Sequence, residues 1–207
     1  MSKHLPGHAQ IVIVGGGVVG SSIAYQLTKA GVSDVVLLER GVLTCGTSWH
    51  AAGLIMQLRG GHATTDIAKY NAEFYPELEA DTGLATGFKQ NGTLAIGRNM
   101  DRVHEMNRRA SLAKSFGIDA HVISPKEVKD MYPALDDSFV AGGLFIPKDG
   151  QLSPVDTINA VIAGAKKRGA KVFEGTPVDT MQRLPSGEYQ LSTKTGTITC
   201  ETLVLAC

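Results

Sequence analysis

Three glycines and one acid carry the first chemistry legible in the chain: Gly15-x-Gly17-x-x-Gly20, with Glu39 following about 20 residues on. The first glycine allows a tight turn, the second lets backbone N–H groups approach a pyrophosphate, and the third lets a helix pack closely on a strand. A helix start also offers phosphates its unpaired N–H groups and the positive end of its dipole. Glu39 can accept hydrogen bonds from an adenosine ribose, and a carboxylate there argues against a 2′-phosphate, with Arg40 as the one neighbour that speaks for it. The bland alternative is a glycine-rich turn without a ligand. Strand, turn, helix and acid in register favour a dinucleotide. A second stretch, CGTSWHAAGL from Cys45 to Leu54, sets the only tryptophan, Trp49, beside His50. A neutral imidazole is a good nucleophile near pH 7. Around it Gly46, Thr47, Ser48, Ala51, Ala52 and Gly53 leave room for a ring and offer backbone donors.

The elements that must position these residues follow from periodicity. Gln10 to Val14 is a short β-branched apolar run, which predicts a strand buried on both faces. Val19, Ile23, Ala24 and Leu27 fall at helical spacing, Gly31 supplies a stop, and VVLLE from Val35 to Glu39 is a second buried strand, which completes a βαβ unit. After Gly53 the pattern changes to longer amphipathic segments, roughly Ala63 to Thr82 and Asp101 to Phe116. Between them TGFKQNGTLAIGRN predicts two short strands about an Asn-Gly turn. Ser124 and Glu127 make a capping box for a short helix that Pro133 stops. From Ser153 the chain returns to α/β: Ser153 caps, Pro154 takes the first helical position, Gly169 ends the helix, and KVFEG is a strand. A hairpin about Thr195-Gly196 and a final apolar run, TLVLAC, follow.

The expected class is therefore α/β: a Rossmann-like nucleotide-binding domain in two parts, 1–54 and 151–207, with an α+β substrate domain, 55–150, inserted between them. A last strand that reads as fully buried and has no polar exit predicts an N-terminal part of something longer, incomplete at its C-terminus. The glycine motif does not separate FAD from NAD. An NAD fold would add another βαβ unit after Glu39, whereas the interruption by a small-residue loop and a long excursion suits FAD.

Composition narrows the partners. Twenty basic and 20 acidic residues give no electrostatic reason to expect nucleic acid or an acidic membrane. A hydrophobic fraction of 43% with 19% charge suits a packed core, and no apolar run is long enough to span a bilayer. The N-terminus MSKHLPGHAQ has neither a secretory nor a transit pattern, which makes a cytoplasmic location the expectation. Cys45, Cys200 and Cys207 lack C-x-x-C spacing and read as free thiols. His62, His104 and His121 share no metal spacing, the basic face of RVHEMNRRASLAKS reads as solvated, and Arg59 reads as a loop arginine before a substrate-carboxylate ligand.

IVIVGGGVVGSSIAYQLTKAG, DVVLLERG, GTSWHAAGL and DGQLSPVDTINAVIAGAKKRGAKVFEGTPV together resemble the FAD-dependent amine oxidoreductases of the D-amino-acid oxidase superfamily, in the branch of dimethylglycine and sarcosine dehydrogenases. GTSWHAAGL is the narrow signature; the other stretches are superfamily-wide. The resemblance implies oxidative demethylation of an N-methylated glycine by hydride transfer to flavin, with an electron-transfer flavoprotein as acceptor. It implies that His50 carries the flavin through its 8α-methyl, the alternatives being a pocket-lining or plain surface histidine. It places Val18 and Val19 in the phosphate turn, Glu39 and Arg40 at the ribose, the loop from Gly46 to Leu54 along pyrophosphate and flavin, and Val178 at the adenine. Plain core packing is the alternative for Val178. Tetrahydrofolate enters only with a further C-terminal domain, and no catalytic base is assigned. The rival functions are an oxygen-using amino-acid oxidase of the same superfamily, a non-catalytic flavin-binding regulatory subunit, and a chain that does nothing alone.

Overall fold

The structure, a computed structural model, describes residues 4–207. Along the chain run β1 (His8–Val14), α1 (Val18–Lys29), β2 (Val35–Leu38), a 3-10 turn (Thr47–His50), β3 (Leu54–Ile55), α2 (His62–Thr82), β4 (Thr93–Gly97) and α3 (Met100–Ser115). They are followed by β5 (His121–Ile123), α4 (Pro125–Met131), a second 3-10 turn (Asp137–Phe139), β6 (Gly142–Ile146), β7 (Gly150–Gln151), α5 (Pro154–Lys167), β8 (Lys171–Phe173), β9 (Val178–Arg183), β10 (Tyr189–Thr193) and β11 (Gly196–Leu205). The mixture of helix and sheet is α/β. Two compact units form: one takes the chain up to Ala52 with Leu78–Thr86 and Ser153–Cys207, the other Gly53–Glu77 with Gly87–Leu152.

The first unit is built on a six-stranded sheet of order β8-β2-β1-β11-β10-β9, in which β8, β2, β1 and β11 are parallel and β10 and β9 join antiparallel. The apolar runs of β1 and β2 take the central places because they can bury both faces; all four residues of β2 are buried. A core cluster of this unit gathers Ala9, Val12, Val36, Leu38, Phe173, Leu191, Ile198 and Cys200. Helices α1 and α5 pack side by side, and they approach so closely that a β-carbon on Gly164 would lie 2.5 Å from the Tyr25 ring. The Ser153 hydroxyl accepts the Asp156 N–H and Pro154 sits in the first turn of α5, as its sequence predicts.

Polar bonds stitch Leu78–Thr86 into this unit. The Glu79 carboxylate accepts both the N–H and the hydroxyl of Thr86 at 2.6 Å, and the Thr86 carbonyl accepts the Ser153 N–H at 2.9 Å. Asp81 accepts from the Tyr25 hydroxyl at 3.0 Å and from Arg168 at 2.6 Å, while the Arg168 guanidinium lies over the Tyr25 ring. The Arg168 hydrogen bond holds the Asp81 carboxyl below its ordinary range, and burial with the Asp81 contact raises the Tyr25 hydroxyl. Because the folded state depresses the Asp81 pKa, its contribution is complete above the unfolded value near 3.9 and is lost as pH falls through the folded one. Asp81→Ala is expected to destabilise the protein by about 1–3 kcal/mol at pH 7, since it removes the acceptor of a buried hydroxyl. In urea titrations the gap to the wild type should close below about pH 4; a gap that is constant with pH would refute the assignment.

The second unit holds an antiparallel sheet of order β4-β6-β5 and the short ladder of β3 with β7. Its core gathers Leu58, Met106, Ala113, Ile118, Leu144 and Ile146. The capping box is present: Ser124 and Glu127 exchange both bonds at the start of α4. Two expectations need correction. The Asn-Gly hairpin does not form; Thr93–Gly97 pairs instead with Gly142–Ile146, and Lys89 bridges to Gln151. Gly92 takes φ +79° and donates to the Asp149 carbonyl, so the turn serves a distant apolar partner in place of a local one. The final apolar run is not a separate strand buried on both faces. It is the second half of β11, where Thr202 and Leu205 are exposed, with Leu205 at 59%.

Candidate functional site

The site grows from the turn that follows β1. Gly15 has φ +113°, and a β-carbon there would stand 2.5 Å from the Ala206 carbonyl oxygen, so both conformation and space demand glycine. A β-carbon on Gly20 would overlap the Gly15 carbonyl oxygen, which lets α1 sit directly on the turn. Gly17 is the N-cap of α1 with ordinary backbone angles and offers no side chain to its free N–H groups. One of these donors, the Val18 N–H, is met at 3.1 Å by the Ser48 hydroxyl from the 3-10 turn.

Glu39, 8% exposed at the end of β2, braces the same turn. Its Oε2 accepts the Gly16 N–H at 2.6 Å and its Oε1 the Gly41 N–H at 2.8 Å, with the Cys45 thiol 3.8 Å from Oε1. A carboxylate has about four lone-pair sites, so acceptor capacity remains for a ligand hydroxyl. The acid therefore fixes the loop on either side of it in addition to facing the space beyond.

That space is a cavity of about 540 Å³ at the carboxyl ends of the parallel strands, where open α/β sheets receive ligands. Of the sequence-predicted residues, Gly15, Gly17, Val18, Val19, Glu39, Arg40, Gly46, Thr47, Ser48 and Val178 line it. Val178 also packs against the sheet core, in keeping with its packing reading. Gly20 lies buried beneath the turn. His50 and Ala51 do not line the cavity: His50 is exposed on the 3-10 turn and its ring lies against Trp49, tilted by 35° with ring centroids 4.0 Å apart. Gly53 and Leu54 belong to the second unit. Sequence reasoning missed Thr44, Cys45, Thr176, Pro177 and Met181 in the wall. Thr176 and Pro177 precede Val178 directly, which was a usable signal; Met181 had none.

The cradle that a side chain at Gly17 would fill, the donors at the start of α1 and the acceptor at Glu39 fit the phosphates and ribose of a dinucleotide. Among the described residues no group of three His, Cys, Asp or Glu side chains is placed to hold a metal ion, and no helix is long and apolar enough to cross a membrane. Cys45 and Cys207 are exposed and Cys200 is buried, all as free thiols.

Known proteins resemble this chain in sequence and fold. Sarcosine dehydrogenase, mitochondrial, of Homo sapiens is 42% identical over 178 residues, which is 86% of this chain and 19% of that protein. Dimethylglycine dehydrogenase, mitochondrial, of Homo sapiens is 35% identical over 198 residues, 96% of this chain and 23% of that protein. The chain thus spans about a fifth of the length of these relatives. The crystal structure of L-proline dehydrogenase from P. horikoshii superposes with a TM-score of 0.90 at 30% identity, over 98% of this chain and 53% of that one. The family described as "DAO: FAD dependent oxidoreductase" matches residues 10–207. With that match over nearly the whole chain, and with a glycine turn and acid-braced cavity of the kind such a cofactor needs, the chain belongs to the DAO family of FAD dependent oxidoreductases.

Proposed function

We propose that the full-length protein binds FAD in this cavity and oxidises the N-methyl group of a small amino acid such as sarcosine or dimethylglycine. The observation that carries the binding half is one wall made jointly by the glycine turn, Glu39 and the loop from Thr44 to Ser48. The substrate half rests on the kinship with sarcosine and dimethylglycine dehydrogenases. FAD, when bound, supplies the two-electron oxidation of an amine C–H bond.

The chain's own residues hold and orient. N–H groups of Gly17, Val18 and Val19, with the Thr47 and Ser48 hydroxyls, take the pyrophosphate. Glu39 and Arg40 take the ribose, and the backbone at Val178 takes the adenine. Gly46 and Ala51 provide close backbone approach along the flavin. His50 is the residue assigned to covalent attachment, a role supported by an exposed imidazole that has no hydrogen-bond partner among the described residues. Trp49, in tilted contact with that ring, restricts its orientation. An electron-transfer flavoprotein is the proposed acceptor, and tetrahydrofolate enters only if the full-length protein carries a further domain for it.

Anaerobic mixing of the full-length holoprotein with sarcosine or dimethylglycine is expected to bleach the flavin, and a primary D-amino acid should do so roughly 10- to 200-fold more slowly, the range that one methyl group commands. Equal rates for both classes would move the reading to an amino-acid oxidase, as would stoichiometric peroxide in air. Denatured in acid, the holoprotein should keep its flavin fluorescence on the polypeptide. His50→Ala should bind FAD when native and release it on denaturation. A wild-type mass equal to the bare polypeptide would refute the covalent role of His50.

A further inference from the structure

Thr44 is the one non-glycine residue with positive φ among the described residues, at +72°. A β-branched side chain is an outlier in that region, because its Cβ crowds the neighbouring carbonyl. Glycine or asparagine would occupy the position with less strain. The conformation is imposed from both sides. Before Thr44, the Gly41 N–H is held by Glu39 Oε1 at 2.8 Å and the Gly41 carbonyl accepts the Gly175 N–H at 2.7 Å. The Leu43 N–H donates to Glu174 Oε2 at 3.0 Å, and after Thr44 the Cys45 N–H returns to the Val42 carbonyl at 3.2 Å.

Two further observations bear on what this strain is for. Thr44 lines the cavity, half-buried, between Glu39 and Arg40 on one side and Gly46 to Ser48 on the other. Its hydroxyl has no hydrogen-bond partner among the described residues, in contrast to Ser48 across the same loop. A strained residue whose polar group is unused within the protein, in the wall of a ligand cavity, marks a use by the ligand.

We propose that Thr44 is a ligand residue of the dinucleotide site: its hydroxyl hydrogen-bonds an oxygen of the adenosine diphosphate half, and the left-handed backbone serves to present it there. The inference rests on the dinucleotide reading above and adds a contact to it. A serine would preserve the donor, a valine would preserve shape and strain without it, and an asparagine would relax the backbone.

The test uses the full-length apoprotein, made under riboflavin limitation, with two readings: affinity for ADP by calorimetry and the apo Tm. ADP is chosen because it cannot be trapped covalently. Thr44→Val is expected to weaken ADP by about 10-fold, the worth of one hydrogen bond, with an unchanged apo Tm. Thr44→Ser should stay within about 3-fold of the wild type. Thr44→Asn should raise the apo Tm through relief of strain, and lose affinity. ADP bound by Thr44→Val as tightly as by the wild type would overturn the proposal while leaving the dinucleotide reading in place. A wild type that binds no ADP would overturn both.

Discussion

Gly17→Val is expected to leave the full-length protein folded and colourless. Gly17 has φ −74° and ψ −174°, angles that any residue adopts, so the backbone accepts the change. The side chain has no such freedom. Its β-carbon would stand 3.3 Å from the Ser48 hydroxyl, and the two methyl groups beyond it would occupy the space in which phosphate oxygens must meet the start of α1. FAD affinity should fall by about 100-fold or more, equivalent to about 2.7 kcal/mol. Flavin absorbance per polypeptide, with circular dichroism and Tm as controls, measures this. A folded variant with full FAD content would falsify the site.

Gly20→Val should act on the fold itself. Alanine occurs at this place in some dinucleotide turns. Here even a β-carbon would overlap the Gly15 carbonyl oxygen and approach Ile13 Cγ2 at 3.2 Å. Gly15 cannot retreat, because Ala206 stands behind it, and β1 is fixed by neighbours on both edges. The helix must lift from the sheet, at a cost of about 3 kcal/mol, the upper range for overpacking. A clear loss in Tm follows, with loss of flavin as its result. The two glycine variants thus separate binding from folding: the first keeps its Tm and the second does not. Should Gly20→Val melt with the wild type, α1 has more slack than its packing implies.

The reach of the sequence tracks the locality of the interactions. The βαβ unit, the Ser153-Pro154 start of α5 and the Ser124–Glu127 box were legible because each signal lies within a few residues of its effect. The pairing of Thr93–Gly97 with Gly142–Ile146 was not, since no local turn announces a partner so far along the chain. The same division runs through the site. Glycine turn and acid are a motif recognisable from spacing, and Gly15, Gly17 and Glu39 of that motif line one cavity. Met181 enters the wall only because strands remote in sequence bring their ends together there. Glu39 shows a subtler gap: its type and position were readable, but its bonds to Gly16 and Gly41 depend on a fold in which strand end and turn meet.

The parallel pairing of β1 with β11 sets His8 against Thr199 and Val14 against Leu205, and brings Ala206 onto the turn at Gly15. On the ribosome, the first strand therefore waits for nearly all of this segment to be made before its second edge is covered. At about 5–20 residues per second, that interval is of order 10–40 s. Through it a central, largely apolar strand of the sheet exposes an unpaired edge, the kind of surface that recruits other chains. The phosphate turn cannot take its final shape until the interval ends, so FAD cannot template the nascent chain at an early stage. Holdase chaperones, more than cofactor supply, should then govern how much of the newly made protein survives to be loaded.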